Sequence, residues 1–193
     1  MRSTESGGTA VLLFGDHRLP RPLRGLPVVG LDDIGAHRRV VVVGSDADLA
    51  SVLTRLLRAD RLDIEVGHAR GWWSARRTRD GVARRVPLIR DETGIVIVGA
   101  AEWRGMDGEP LHGEAVVDDT VLFDGDVPGV RIEPTLTMPG LRATVVGRGR
   151  WVTGRAVQLG TTGATVVREG VPAARPVRRS TFYRHTEGWL RVS

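Results

Sequence analysis

Hydrophobic and polar positions between Arg38 and Val66 follow the pattern of a strand, a helix and a second strand. Val40 to Val43 are consecutive β-branched residues, typical of a strand covered on both faces of a parallel sheet. After Gly44, apolar residues recur at i, i+3, i+4, i+7 and i+8, which predicts one apolar helix face: Leu49, Val52, Leu53, Leu56 and Leu57. From Leu62 to Val66, apolar and acidic residues alternate, so we expect a half-exposed strand near a sheet edge. The unit is a βαβ crossover.

Beyond Val86 the helical period disappears, and short β-rich runs follow one another between turn residues. Their strands are expected at Val86 to Arg90, Ile95 to Ala101, Glu114 to Val117, Thr120 to Phe123, Val130 to Glu133, Leu141 to Val146, Trp151 to Leu159, Ala164 to Arg168 and Trp189 to Val192. Runs at this spacing indicate a sandwich or open barrel. The predicted fold class is α+β, a small Rossmann-like α/β layer followed by an antiparallel β-sandwich. We place a truncated α/β domain at residues 1–84 and the β-sandwich at residues 85–193.

Shorter patterns flank the central unit. The pattern predicts a first strand at Ala10 to Phe14 and a short strand at Val28 and Val29. Trp72 to Arg79 is a short helix candidate; its adjacent tryptophans, Trp72 and Trp73, must point in different directions, so we expect one in the core and one exposed. The first ten residues have no apolar core, which predicts a polar tail rather than a secretion signal.

Three residue types are absent from the sequence: cysteine, lysine and asparagine. Disulfides, thiolate metal sites and cysteine nucleophiles are therefore excluded, as are a P-loop lysine and a Schiff-base lysine. All 28 basic residues are arginine, an arginine-rich composition for which a GC-rich genome is the simplest cause. No apolar run is long enough to span a bilayer, so a cytoplasmic location is the expectation.

The net charge of +5 is spread in blocks. Residues 70–90 hold seven arginines and one acid, residues 102–133 hold nine acids and two arginines, and residues 142–191 hold ten arginines and two acids. Such blocks are typical of packed surfaces that neutralise one another, and we favour that interpretation. A nucleic-acid footprint is the alternative, disfavoured because acidic blocks repel a polyanion.

Acidic and histidine side chains give no metal motif. The acids in the middle of the chain lie beside Gly125 or between strands, as turn residues do: Glu114, Asp118, Asp119, Asp124 and Asp126. The histidines show no zinc spacing, and neither G-x-S-x-G nor a strand-linked G-x-G-x-x-G occurs. We therefore expect no metal site.

The turn between the first strand and the helix of the crossover is the one local candidate for a ligand site. It reads Gly44-Ser45-Asp46-Ala47-Asp48, and strand-to-helix turns of this kind can hold a phosphate. Ser45 and Asp48 also have the spacing of a helix cap, which would explain them without a ligand.

The stretch VVVVGSDADLASVLTRLLRADRLDIEVG resembles the strand, G-G-D-G-T turn and helix of the diacylglycerol kinase and NAD kinase superfamily. The late stretch GRAVQLGTTGATVVREGVPAARPVRR is similar to that family's late strands, which lead into a D-G-E turn. The resemblance covers most of the chain and implies a nucleotide-binding α/β domain followed by a β-sandwich. It also implies Gly44, Ser45 and Asp46 as cofactor-binding residues, with ATP and Mg²⁺ as cofactors only if kinase activity remains.

Departures from the family pattern fall on the site. Gly44 and Asp46 match the motif, but Ser45 and Ala47 replace glycines and Asp48 replaces the threonine. Glycines there let amides approach phosphate, and an added carboxylate would repel it by a few kcal/mol. The family's second nucleotide turn corresponds to residues 68–72 and lacks its asparagine, and Val171 takes the place of the late glutamate. The motif is degenerate.

We therefore expect a non-catalytic, diacylglycerol-kinase-like protein that binds an anionic ligand (a nucleotide, a phosphorylated small molecule or a lipid headgroup) or a protein partner. One alternative is an active lipid- or NAD-type phosphotransferase with a rearranged site that uses Asp46 or Asp48 with Mg²⁺. Another is a nucleic-acid-associated protein. A homodimer is compatible with each.

The predicted anion-binding residues follow the late turn, in a segment stiffened by two prolines: Arg175, Arg178, Arg179 and Arg184. Arginine forks bind phosphate or carboxylate in a bidentate manner. The alternative is that these arginines pair with the acidic block at residues 102–133 and only hold the domain together.

Overall fold

The computed structural model describes residues 7–193, which form sixteen strands, two α-helices and two short 3-10 helices. The helices are α1 (Asp46–Arg58) and α2 (Trp72–Asp80), with 3-10 turns at Arg21–Leu23 and Ile34–Ala36. The strands are β1 (Gly7–Leu13), β2 (His37–Val43), β3 (Glu65–His68), β4 (Ala83–Val86), β5 (Ile89–Asp91), β6 (Val96–Ile97), β7 (Ala101–Arg104), β8 (Leu111–Val117), β9 (Thr120–Val127), β10 (Val130–Pro134), β11 (Leu141–Val145), β12 (Val152–Gly154), β13 (Ala156–Arg168), β14 (Val171–Pro172), β15 (Val177–Arg184) and β16 (Trp189–Val192).

The chain divides into two compact units. The first comprises the described residues up to Val86 together with Glu187–Ser193, and the second is Pro87–Thr186. The strand at Trp189–Val192 was predicted for the sandwich, but it pairs with β3 and β4 in the first unit. An alternating strand pattern does not specify its partner, so the sequence could not reveal this return. The polar tail lies outside the described residues up to residue 6, and the rest of it, Gly7–Ala10, begins β1.

The first unit contains one sheet with the order β1-β2-β3-β16-β4. Its first four strands are parallel, and β4 is antiparallel to β16. The expectation that the second strand of the crossover lies near an edge is wrong, because β3 has a partner on each side. Its acid is accommodated by ion pairs, since Glu65 accepts from Arg39 at 2.6 Å and from Arg38 at 3.1 Å. The residues before Glu65 form a turn, so the strand also starts later than predicted.

Both faces of this sheet are covered, as the valine run predicts. On one face Val41 and Val43 pack with Leu23 and with Ala75 of α2. Val40 and Val42 point to the other face and are fully buried. We infer that α1 covers that face, since its predicted apolar stripe is buried apart from a half-buried Leu57.

The close approach of α2 to the sheet depends on a glycine in β3. A Cβ at Gly67 would lie 2.5 Å from the Cβ of Thr78, which is buried on the inner side of α2. Arg39 fixes the end of the same helix, donating to the carbonyls of Thr78 at 3.3 Å and Arg79 at 2.7 Å. A guanidinium at a helix C-terminus satisfies carbonyls that have no intrahelical partner.

The second unit is an antiparallel β-sandwich, so the predicted fold class is confirmed. The long strand β13 belongs to both of its sheets: its first half pairs with β8 and β15, and its second half with β7 and β14. An irregularity between Gly160 and Ala164 separates the halves. The two sheets share one core, in which Trp103 donates to the Ser180 hydroxyl at 3.0 Å and packs against Phe182.

Two local predictions in this unit are wrong. The turn expected at Asp124-Gly125-Asp126 lies inside β9, where Gly125 has a φ of 103° opposite Gly113 of β8. The strand expected at Trp151 to Leu159 is divided between β12 and β13. A hairpin turn at Asp91–Gly94 joins β5 and β6, and Asp91 is buried within it, bonded to Arg168 at 2.6 Å.

Candidate binding site at the carboxyl ends of the parallel strands

The loops after β2 and β3 and the carboxyl end of β16 lie at one edge of the first sheet, because these strands are parallel. Ligands of open α/β sheets bind outside the carboxyl ends of the strands. The residues at this edge are the Gly44–Asp46 turn, the segment from His68 to Trp72, and the end of β16. The crossover thus brings together the two turns that the sequence singles out.

The Gly44–Asp46 turn is closed by a capping box. The Asp48 carboxylate accepts from the Ser45 amide and the Ser45 hydroxyl, each at 2.7 Å, and the Asp48 amide donates to the Ser45 hydroxyl at 3.2 Å. A Cβ at Gly44 would lie 2.5 Å from the same carboxylate oxygen, so this glycine allows the carboxylate to approach. The Asp48 carboxylate therefore already accepts hydrogen bonds from the amide and hydroxyl of Ser45, the donors that a phosphate bound at this turn would use.

Asp46 joins the turn to the segment after β3. Its Oδ1 forms an ion pair with Arg70 and lies 3.7 Å from His68 Nδ1. His68 Nε2 lies 2.9 Å from the Gly44 carbonyl, and Arg70 Nε lies 3.4 Å from His68 Nδ1. Because a carbonyl only accepts, the geometry assigns the proton to Nε2 and makes Nδ1 an acceptor. The Asp46 charge is thus already paired within the protein.

A cavity of about 430 Å³ opens beside this cluster. Its lining includes His68, Trp72, Ser74, Arg77 and Arg191. Within residues 7–193, neither Arg77 nor Arg191 makes an ion pair or a side-chain hydrogen bond. Two unpaired guanidinium groups beside an aromatic wall suit a ligand that carries an anionic group and an apolar part.

Both tryptophans at the start of α2 are exposed, Trp72 by 45% and Trp73 by 72%. Their rings contact each other edge to face, with centroids 4.4 Å apart. The expectation that one of them lies in the core is therefore wrong. The inner side of this short helix is occupied by Ala75 and Thr78, which leaves no room against the sheet for an indole.

The four arginines predicted to bind an anion do not form one cluster. Arg178 and Arg179 are adjacent in β15 and point to opposite faces, while Arg175 precedes the strand. Arg184 donates to the Met138 sulfur at 2.8 Å and to the Pro139 carbonyl at 3.0 Å. Their anion-binding role stays a prediction.

The alternative role of these arginines, pairing with the acidic block, is wrong for the described residues. No ion pair joins any of the four to an acid there. Glu102 pairs instead with Arg104 and Arg131, and Glu133 with Arg131 and Arg142. Two of the nine acids of the block, Glu102 and Glu133, are thus paired with arginines of their own sheet.

The remaining candidate acids support the backbone. Asp118 has a φ of 49° between β8 and β9, and its carboxylate accepts from the amides of Arg155 and Ala156. In the late turn, Glu169 accepts from the amides of Val98 at 2.7 Å and Gly99 at 3.0 Å. Across the part of the chain described, no three histidine or acidic side chains are arranged to hold a metal ion.

Solved structures similar to this chain are found, whereas no match is found by sequence. No protein-family model and no curated protein matches the chain. An NAD kinase from Archaeoglobus fulgidus, solved with ATP, superposes with a TM-score of 0.67 at 12% identity, over 96% of this chain and 93% of that one. A diacylglycerol kinase from Bacillus anthracis superposes with a TM-score of 0.71 at 9% identity, over 99% and 98%.

This chain has the NAD kinase and diacylglycerol kinase fold. The resemblance noted in the sequence is therefore confirmed at the level of fold. Within the described residues, neither α-helix is long and apolar enough to cross a bilayer.

Arg77 and Arg191 are the site residues that sequence reasoning missed. Arg77 lies in an arginine-rich run, and no motif distinguishes it from the neighbouring arginines. Arg191 lies in the strand that the sequence assigns to the sandwich, so nothing places it beside α2. A lone arginine in a strand gives no signal of its own; only the pairing of β16 with β3 locates it.

Proposed function

We propose that this chain is a non-catalytic binding protein built on the kinase fold, and that it binds a phosphate-bearing small molecule in the cavity beside α2. The Asp48 carboxylate is the main support for the non-catalytic part of this proposal. It holds the Ser45 amide and hydroxyl at 2.7 Å, where the fold family would place phosphate. The triphosphate of ATP does not fit this turn, because it would meet the Asp48 carboxylate, which has no cationic partner within residues 7–193.

Phosphoryl transfer depends on positioned donors and metal ligands around the phosphates. The turn offers Asp46, whose charge is paired with Arg70, and Asp48, whose oxygen is used by Ser45. Each carboxylate therefore has one oxygen engaged by a neighbour, Asp46 Oδ1 by Arg70 and Asp48 Oδ2 by Ser45, which reduces what either offers to Mg²⁺. A rearranged phosphotransferase, the alternative raised by the sequence, would have to hold the metal with the remaining oxygens.

The cavity beside α2 has the features of a small-molecule site. Its volume of about 430 Å³ is within the usual range for ligand pockets, and its lining combines indole rings with two unpaired arginines. Arg77 and Arg191 would hold the phosphate by charge-assisted hydrogen bonds, and Trp72 would contact the apolar part. The lining therefore favours a phosphate monoester with an aromatic or aliphatic group over free phosphate.

Isothermal titration calorimetry with inorganic phosphate, AMP and glycerol 3-phosphate tests the site. We expect binding of at least one monoester, weakened about tenfold or more by Arg77→Ala together with Arg191→Ala, because each removes a charged hydrogen bond. The matched control is Arg148→Ala with Arg155→Ala, two exposed arginines of the other unit that belong to neither candidate site, which should leave the affinity unchanged.

Other outcomes would overturn this assignment. Loss of binding in Arg178→Ala with Arg179→Ala, but not in the cavity variant, would place the anion at β15, as the sequence predicts. Tight, strongly salt-dependent binding of duplex DNA, with no monoester binding, would favour the nucleic-acid alternative.

A further inference from the structure

Trp72 and Trp73 form an exposed aromatic pair for which the fold offers no internal role. Among the aromatic residues of the described chain, only these two are exposed, whereas Trp103, Phe123, Phe182 and Trp189 are buried. The indole rings contact each other rather than the core. An apolar pair that remains in water at the start of a helix indicates a contact with something outside the protein.

The geometry of α2 places arginines on the same side as the indoles. Ala75 and Thr78 are the buried residues of the helix, which fixes its inner side. Trp73, Arg76 and Arg77 are spaced i, i+3 and i+4, so they share the outer side. The surface formed by Trp72, Trp73, Arg76 and Arg77 is here called the α2 surface.

The charge of the α2 surface is positive. Neither Arg76 nor Arg77 has an acidic partner within the residues the structure describes. Asp80, at i+4 from Arg76 and i+3 from Arg77, is the one acid of the helix and lies 3.9 Å from Arg79, so the helix carries three arginines against one acid. An anionic partner would therefore meet a net positive surface beside two indoles.

We propose that the α2 surface docks this protein on the surface of a bilayer that contains anionic lipids. Tryptophan is enriched at the membrane–water interface, where its ring lies among the headgroups and its N–H remains hydrated. Basic side chains next to it are attracted to the negative surface potential of anionic lipids. With nine residues, α2 lies on such a surface rather than across it. This inference goes beyond the proposed function, with which it shares Trp72, Trp73 and Arg77, because these residues also line the cavity.

A bilayer fits the observations better than single-stranded nucleic acid. Stacked bases need aromatic faces aligned along the strand. Here the two indole planes are 86° apart, so they cannot present two parallel faces to successive bases. The headgroup region of a bilayer imposes no such alignment.

Vesicle flotation tests the docking. The full chain is mixed with vesicles of phosphatidylcholine alone or with 30 mol% phosphatidylglycerol (roughly the anionic content that gives a strong surface potential). We expect binding only to the anionic vesicles, decreasing as salt is added. Trp72→Ala with Trp73→Ala should abolish most of it. Arg76→Ala alone should weaken it about fivefold, the effect of one basic residue near the surface.

Matched controls come from the second unit. Val121→Ala with Val171→Ala removes two side chains that are 59% and 62% exposed, and Arg148→Ala removes an exposed charge; both should bind like wild type. Quenching of tryptophan fluorescence by brominated lipid should occur in the wild type and be lost in the tryptophan double variant. Circular dichroism melts confirm that each variant is folded.

Several results would overturn the docking. These are no binding of wild type to anionic vesicles, equal binding of the tryptophan variant, or stronger binding to single-stranded DNA with the same tryptophan dependence. Arg191→Ala separates this inference from the proposed function, because Arg191 lines the cavity but is not on the α2 surface. It should weaken monoester binding and leave vesicle binding unchanged.

Discussion

At the scale of single residues, Asp48 changes what the turn can do. The motif that the sequence resembles has a threonine at this position, whereas Asp48 supplies a carboxylate to the donors of its own helix end. The same side chain therefore stabilises the helix and, under the proposed function, repels an external anion. The two effects have opposite signs when Asp48 is removed, which makes them separable by experiment.

Asp48→Ala should lower the free energy of unfolding by about 1 kcal/mol, the usual effect of losing a helix cap. Phosphate should then stabilise the variant more than it stabilises the wild type, because the Ser45 amide becomes free and the repulsion is gone. Thermal melts with and without phosphate measure both. Asp33→Ala is the control, since Asp33 precedes a 3-10 helix without a side-chain cap bond and should change neither quantity. An unchanged phosphate effect in Asp48→Ala would show that the turn holds no latent anion site, and would count against Gly44, Ser45 and Asp46 as cofactor-binding residues.

At the scale of elements, two acids of the acidic block, Glu102 and Glu133, belong to a charge ladder across one sheet of the sandwich. Strands β7, β10 and β11 are neighbours, and their side chains alternate in sign: Glu102, Arg131, Glu133 and Arg142. Arg142 also lies over the ring of Trp151, with its guanidinium carbon 4.3 Å from the ring centroid. Alternating cross-strand charges stabilise a sheet modestly, so this ladder has a structural role.

Glu133 makes this ladder sensitive to acid. Burial alone would raise the pKa of Glu133, but hydrogen bonds from Arg131 and Arg142 outweigh it and hold the pKa below its usual value. A carboxylate with a lowered folded-state pKa adds stability above its unfolded pKa of about 4.3, and that stability is lost as the pH falls through the folded pKa.

Glu133→Gln should therefore lower the melting temperature at pH 7 and show a smaller further loss than wild type between about pH 5 and pH 3. Glu109→Gln, an exposed acid outside the ladder, should follow the wild-type curve. A Glu133→Gln curve parallel to that of the wild type would mean that the ladder does not contribute to acid stability.

At the scale of the whole molecule, the sequence predicts individual helices and strands better than it predicts which strands pair with one another. Val40 to Val43 and the leucine stripe of α1 carry their own periodicity, and both elements form where predicted. The sequence predicts β3 near a sheet edge because Glu65 is acidic, but Glu65 lies within the sheet, where Arg38 and Arg39 pair with it. For β16 the pattern identified a strand but not its sheet.

The candidate site shows the same division. The turn at Gly44–Asp46 is readable from sequence because a motif carries it, and the cap between Ser45 and Asp48 follows from their spacing. Arg77 and Arg191 depend on contacts between distant segments of the chain, which no spacing encodes. The four late arginines were grouped by sequence proximity, but alternation along β15 separates neighbours onto opposite faces.

The central claim is that this kinase fold binds an anion without transferring phosphate. The most direct measurement is transfer of labelled γ-phosphate from ATP, with Mg²⁺, to diacylglycerol or to NAD over long incubation. We expect no product above a protein-free control, for wild type and for Asp46→Ala alike, because Asp48 occupies the phosphate donors and Arg70 holds Asp46. Turnover by the wild type that disappears in Asp46→Ala would contradict the claim and show that this chain is an active phosphotransferase.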